Sequence, residues 1–141
     1  MRLISMLVFT SLSLVGCLPE DSSSDLVGTQ WTLNSYGFKT DVKTNIIENS
    51  SYSLEFEEDR LTGTIDCNSF QSNYSATQNT LEIESIAVTE MACSLMSDPA
   101  YILQNTFVIN ALSNVTSYVI FDQKLTLTSA DSSELVFVES Q

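Results

Sequence analysis

The chain has 141 residues, with 5 Lys+Arg against 18 Asp+Glu, no histidine, and a formal net charge of −13. Such an acidic chain has no electrostatic means of holding nucleic acid through its phosphates. The lack of histidine removes imidazole general bases, histidine triads and histidine metal ligands, and the length provides for one domain around one core.

Met1-Arg2 opens the chain with a positive charge, and Leu3 to Val15 is apolar or hydroxylated throughout. These are the n-region and h-region of a secretory signal, too short to span a bilayer comfortably. Leu14-Val15-Gly16-Cys17 follows, and small residues before a cysteine here resemble the bacterial lipoprotein signal, the lipobox. The resemblance implies removal of residues 1–16 and acylation (palmitate-type chains) on Cys17. By resemblance to lipoprotein sorting in diderm bacteria, Leu18 in place of Asp after that cysteine implies the outer membrane, facing the periplasm. Several acyl chains anchor firmly, each buried CH2 contributing about 0.8 kcal/mol. Without the leader, which carries only Arg2, four cations remain against 18 acids. Such a chain would not lie on an anionic lipid surface without its anchor. Residues 17–25, with Pro19, Glu20, Asp21 and three serines, read as the lipidated cysteine and a polar tether; residues 26–141 are the domain.

Leu26-Val27-Gly28 leads into Trp31 to Tyr36, an alternating run of strand formers. Gly37 to Ser50 lacks periodicity and reads as a loop passing into strand at its end. Tyr52, Leu54 and Phe56 alternate with Ser53, Glu55 and Glu57, the pattern of a half-buried strand. Glu58-Asp59 turns, and Leu61, Gly63 and Ile65 continue on a returning strand, so 51–66 is a hairpin. Gln71 to Ala76 is the next strand, with Tyr74 inward. After a turn at Gln78-Asn79, Leu81 and Ile83, then Ile86 and Val88, are expected to face the core. The phase changes near Ser85, which predicts a bulge or bend.

Beyond Cys93 the pattern becomes helical. Ser97-Asp98-Pro99 is a helix start, a polar cap and an early proline. Leu103, Phe107, Val108, Ala111 and Leu112 share one face, which is expected to pack on the sheet. The helix ends near Ser113-Asn114. Tyr118 to Phe121, Lys124 to Ser129 and Glu134 to Val138 are three closing strands, joined at Asp122-Gln123 and at 130–133. The sum is a mostly β, α+β fold: a curled, barrel-like antiparallel sheet of about eight short strands, with one helix before the last three.

Lipidation of Cys17 leaves Cys67 and Cys93, and two remaining cysteines in an oxidising envelope suggest one structural disulfide. The alternative is a redox or metal pair, but the spacing is unlike Cys-x-x-Cys and no third thiol or histidine completes a zinc site. No metal is expected from Glu55, Glu57, Glu58 and Asp59 either, because they lack EF-hand spacing. Ser69, Asp66 and Glu90 can be imagined as catalytic, but no suitable base stands beside the serine, so no catalytic residue, enzyme activity or cofactor is expected. Asn68 and Trp31 are the candidates to face a ligand or partner. The competing reading has Asn68 bonding backbone in a turn. For Trp31, with Tyr52, Phe56, Phe70, Tyr74 and Phe107, the competing reading is a filled core.

Leu26-Val27-Gly28, Trp31-Thr32-Leu33, Gly63…Cys67-Asn68-Ser69-Phe70, Thr89-Glu90-Met91-Ala92-Cys93 and Leu125-Thr126-Leu127 together resemble the META, or HslJ-like, domain family over roughly Leu26 to Val138. The most specific signature is Gly63, Cys67, Asn68, Phe70, Thr89, Met91, Ala92 and Cys93. Family members commonly carry glycine where Asp66 stands here, and again near Gln71 and Ser72. The resemblance implies an antiparallel barrel-like fold and an envelope lipoprotein, some relatives being linked by name to heat shock and antibiotic tolerance. It brings no catalytic site. The expectation is a non-enzymatic, membrane-anchored envelope lipoprotein binding an unidentified protein partner, stress-related or acting in outer-membrane maintenance or assembly. The alternative is a carrier of a lipid or hydrophobic small molecule in the barrel; a hydrolase is the third reading.

Overall fold

Alternating burial along the strands decides how the sheet closes. In the computed structural model, which describes residues 25–140, ten strands and one helix form. They are β1 (Gln30–Phe38), β2 (Thr44–Asn45), β3 (Tyr52–Phe56), β4 (Arg60–Ile65), β5 (Asn68–Thr77), β6 (Thr80–Ile83), β7 (Ala87–Val88), α1 (Pro99–Ser113), β8 (Val115–Phe121), β9 (Lys124–Ser129) and β10 (Ser133–Glu139). The order β10-β9-β8-β6-β5-β4-β3-β1 is closed by antiparallel pairing of β1 with β10. The result is an eight-stranded barrel, with β2 and β7 as additions on β1 and β5. Closure removes the free edges of the eight barrel strands, leaving the two-residue β2 and β7 with an unpaired side.

Inward side chains fill the barrel, as expected for a small barrel. Trp31, Tyr52, Phe56, Phe70, Tyr74 and Phe137 are all buried, with Leu33, Leu54, Leu61, Leu125, Leu127 and Leu135 between them. Phe56 and Tyr74 meet edge to face at 5.1 Å. The Tyr74 hydroxyl donates to the Glu57 carbonyl at 2.6 Å, so its polar end is satisfied. Two-residue loops reverse the chain at positive φ: Asp122 (φ 50) and Gln123 (φ 59) join β8 to β9, the backbone that matches strand twist. The change of phase near Ser85 is a bulge. From Tyr74↔Ile83 to Gln71↔Ala87 there are three steps on β5 and four on its partner.

The helix lies across one end of the barrel. Its cap is Asp98, whose Oδ1 accepts from Ala100 N at 2.9 Å, with Pro99 in the first turn. Its buried residues are Tyr101, Gln104, Val108, Ala111 and Leu112. The expected face is therefore half wrong: Leu103 is 72% exposed, and Phe107 is half-buried against Tyr36 and Phe38. The physical reason is Gln104, which is fully buried. Its Oε1 accepts from Ile47 N at 2.8 Å, and its Nε2 donates to Ser50 Oγ at 3.0 Å and Tyr52 Oη at 3.1 Å. Those backbone and hydroxyl groups at the barrel mouth need a partner when buried. Satisfying them turns the helix so that Leu103 points away. On the other side Ser129 Oγ donates to the Ala111 carbonyl at 2.7 Å. Val88 is a second correction: at 37% exposed it is out of the core, because β7 lies past the bulge. Among the described residues no helix is long and apolar enough to cross a membrane.

Candidate functional site

The signature residues gather at the loop between β4 and β5. Ile65 and Asn68 are opposite one another, so Asp66-Cys67 is a two-residue hairpin loop. Asp66 has φ 56, at the first loop position, where a positive φ favours glycine. Here the carboxylate gives the strained residue a second role. Tyr101 of α1, buried, donates its hydroxyl to Asp66 Oδ2 at 2.6 Å. Burial, and then this bond, push the Tyr101 phenol well above its ordinary range.

Cys67 and Cys93 form a disulfide across this loop, with Cα atoms 5.6 Å apart, inside the range that the bridge requires. Asn68 completes the clasp. Its Oδ1 accepts from Met91 N at 2.7 Å and from Thr89 Oγ1 at 3.2 Å, and its Nδ2 donates to the Met91 carbonyl at 3.4 Å. One carboxamide thus takes both backbone groups of Met91, as a neighbouring strand would. Thr89 Oγ1 in turn accepts from Ser69 N at 3.1 Å. Asn68 therefore bonds the backbone of Met91 with both ends of its amide. Asp66 and the two sulfurs lie within 4.8 Å of one another, but the sulfurs are bonded to each other and the carboxylate is engaged. Ala92 and Met91 are exposed, while Cys93 is buried.

Trp31 is not partner-facing. It is 2% exposed and donates its indole N–H to Thr29 Oγ1 at 2.7 Å. Its backbone, however, forms part of something that single-strand patterns do not reveal. Across β1, β3, β4, β5 and β7 the inward residues Trp31, Leu54, Gly63 and Phe70, and then half-exposed Val88, stand opposite one another in sequence. Outward residues flank that row on both sides. Gln30, Glu55, Thr62, Gln71 and Ala87 make one wall. Ser53, Thr64, Ser69 and Thr89 make the other, extended by Ser140, which bonds Thr32 at 2.9 Å. The groove between them encloses about 670 Å³. Gly63 lies in its floor, where a Cβ would run into the Ser53 carbonyl and come within 2.8 Å of the Phe70 ring. Cross-strand register was the missing signal, because the two walls are dispersed over 110 positions of sequence, from Gln30 to Ser140.

The acidic hairpin is solvated as expected: Arg60 pairs with Glu57 at 2.9 Å, and Gln30 donates to Glu55 at 3.1 Å. Cys17 and the tether to Ser24 lie outside the described residues.

Solved structures share this architecture. A protein from Burkholderia xenovorans studied by NMR has a TM-score of 0.67 at 16% identity, over 95% of this chain and 99% of that one. The crystal structure of a DUF4847 family protein from Bacteroides vulgatus has a TM-score of 0.62 at 15% identity, over 82% and 95%. At such identities the likeness concerns the fold. No curated protein matches the chain significantly. The family model of the META domain matches residues 24–141, nearly all of the domain: the chain belongs to the META domain family.

Proposed function

We propose that the protein is a non-enzymatic lipoprotein of the cell envelope, tethered to the outer membrane through Cys17 and facing the periplasm, whose domain binds a protein partner in outer-membrane maintenance, assembly or stress. The observation that carries this reading is the apolar stripe on the outer side of α1. Leu103 is 72% exposed, Phe107 lies one turn later on the same face, and Phe38, 45% exposed, packs edge to face on Phe107 at 5.6 Å. The barrel covers only part of this surface, the Phe107 ring on its Tyr36 and Phe38 side, and leaves Leu103 bare; an exposed apolar surface on a helix marks an interaction site. With 18 acids against four cations in the mature chain, an anionic lipid surface would repel it, which favours a protein occupant. The interior, filled by aromatic and leucine side chains, speaks against carriage of a hydrophobic ligand there. The absence of histidine and the engagement of Asp66 support the non-enzymatic part of the reading.

The test is affinity purification of the lipidated wild type and of Leu103→Glu from native membranes, identifying protein and lipid in both. The reading expects an acylated N-terminus at Cys17 and a protein retained by the wild type but lost from the variant. Equal recovery by both, or an unacylated soluble product, contradicts it.

A further inference from the structure

The groove on the barrel wall is separate from the helix stripe, and it has a chemistry of its own. Glu55 is the one titratable side chain among its lining residues, and no Lys or Arg is among them. An anionic ligand finds no counter-charge there, and a cation finds a single carboxylate already bonded to Gln30. Apart from Glu55 and Ala87, the walls are hydroxyl and carboxamide groups, each of which both donates and accepts. Ser53 and Thr64 hydroxyls bond each other at 3.0 Å, which uses part of their capacity and fixes their positions.

The dimensions follow from strand geometry. Two residues along a strand put the Cα rows of the two walls about 6.8 Å apart, and four strand spacings give a length of about 19 Å. The floor backbone of β1, β3, β4 and β5 is occupied in the sheet ladder, so an added peptide strand could pair only with the outer edge of the two-residue β7. Gly63 lets β4 lie close against the Ser53 carbonyl at the centre of the floor. Val88, 37% exposed, and Ala87 give one end an apolar contact beside Gln71.

We propose that this groove binds an uncharged, linear, N-acetylated oligosaccharide lying across the strands. Ring hydroxyls would bond to the Ser/Thr wall, acetamido groups to Gln30 and Gln71, and an acetyl methyl would rest on Val88. The volume is within the roughly 300–1,000 Å³ usual for ligand sites. The proposal does not depend on the protein-docking role of α1.

The experiment is NMR titration of the disulfide-bonded domain with chitotetraose, and with tetragalacturonate as an anionic chain of equal length. Chitotetraose is expected to shift the amides of Thr62, Thr64, Ser69 and Gln71 saturably, and tetragalacturonate to leave them in place. Ser69→Trp, an exposed position on the wall, is expected to weaken binding by at least about tenfold, equivalent to about 1.4 kcal/mol, with an unchanged melting curve. If that variant does not fold, Gln71→Ala serves instead, with an expected loss of about threefold to fivefold. No saturable shifts with chitotetraose, shifts confined to other faces, equal binding of the anionic chain, or unchanged affinity in the folded variant each overturns the proposal.

Discussion

Asp66 shows how one residue serves two constraints. Its positive φ is unfavourable for a side chain bearing a Cβ, yet its carboxylate accepts the buried Tyr101 hydroxyl at 2.6 Å and so connects the β4–β5 loop to the helix. Tyr101→Phe keeps the packing and removes that bond, so unfolding free energy is expected to fall by about 1.5–3 kcal/mol, the range for a hydrogen bond to a charged group, measured by urea titration. Tyr101, Tyr52 and Tyr74 all have phenols raised above their ordinary value, mainly by burial. The folded state therefore binds more protons than the unfolded chain once pH exceeds about 10. Stability is expected to be unaffected by these groups below that pH and to fall as pH rises through it, and Tyr101→Phe should lessen the fall. Gly63 is constrained more simply. Gly63→Ala forces β4 away from the Ser53 carbonyl, and a loss of about 1–3 kcal/mol is expected, the usual cost of overpacking. A neutral outcome would mean that the strand yields freely there.

At the scale of elements, the clasp and the helix divide the work of closing the barrel mouth. The disulfide ties residues 26 positions apart, and closing a loop of that length in the unfolded chain is worth roughly 3.5 kcal/mol in the chain-entropy model. Replacing both cysteines by serine is expected to lower the melting temperature and leave the strand order intact. An unchanged melting temperature would assign the stability to Asn68 and packing alone. The helix gives a contrasting pair. Phe107 is half-buried beside Tyr36 and Phe38, so Phe107→Ala is expected to cost about 2 kcal/mol. Leu103→Ala, at an exposed position, should change stability by less than about 0.5 kcal/mol. A larger loss at Leu103 would place that residue in the core after all. The helix itself was legible in Ser97-Asp98-Pro99 and the apolar spacing after it. Its rotation was not, because apolar periodicity cannot register that a glutamine, Gln104, is the group most needed inside. The bulge near Ser85 was legible, since a broken alternation is a local property of one strand.

For the whole molecule, the sequence disclosed a barrel through the inward alternation of Tyr52, Leu54 and Phe56, of Leu125 and Leu127, and of their neighbours. The Cys67–Cys93 bridge was legible because the chain has three cysteines and the lipobox reading of Cys17 leaves one pair. The groove was hidden, since its walls arise only when β1, β3, β4, β5 and β7 lie in register. The exposed stripe was hidden for the opposite reason: Leu103 and Phe107 look like core until Gln104 takes the inward place. A closed, filled barrel leaves its outer surface as the place for recognition, and the protein-facing claim stands on Leu103. The most direct measurement places a photo-crosslinking amino acid at position 103 in the lipidated protein on intact membranes, with the same probe at exposed Thr116 as control. A discrete protein adduct is expected from position 103, absent from position 116 and abolished by Phe38→Glu on the adjoining ring. Crosslinking to lipid alone, or the same adducts from both positions, would contradict that claim.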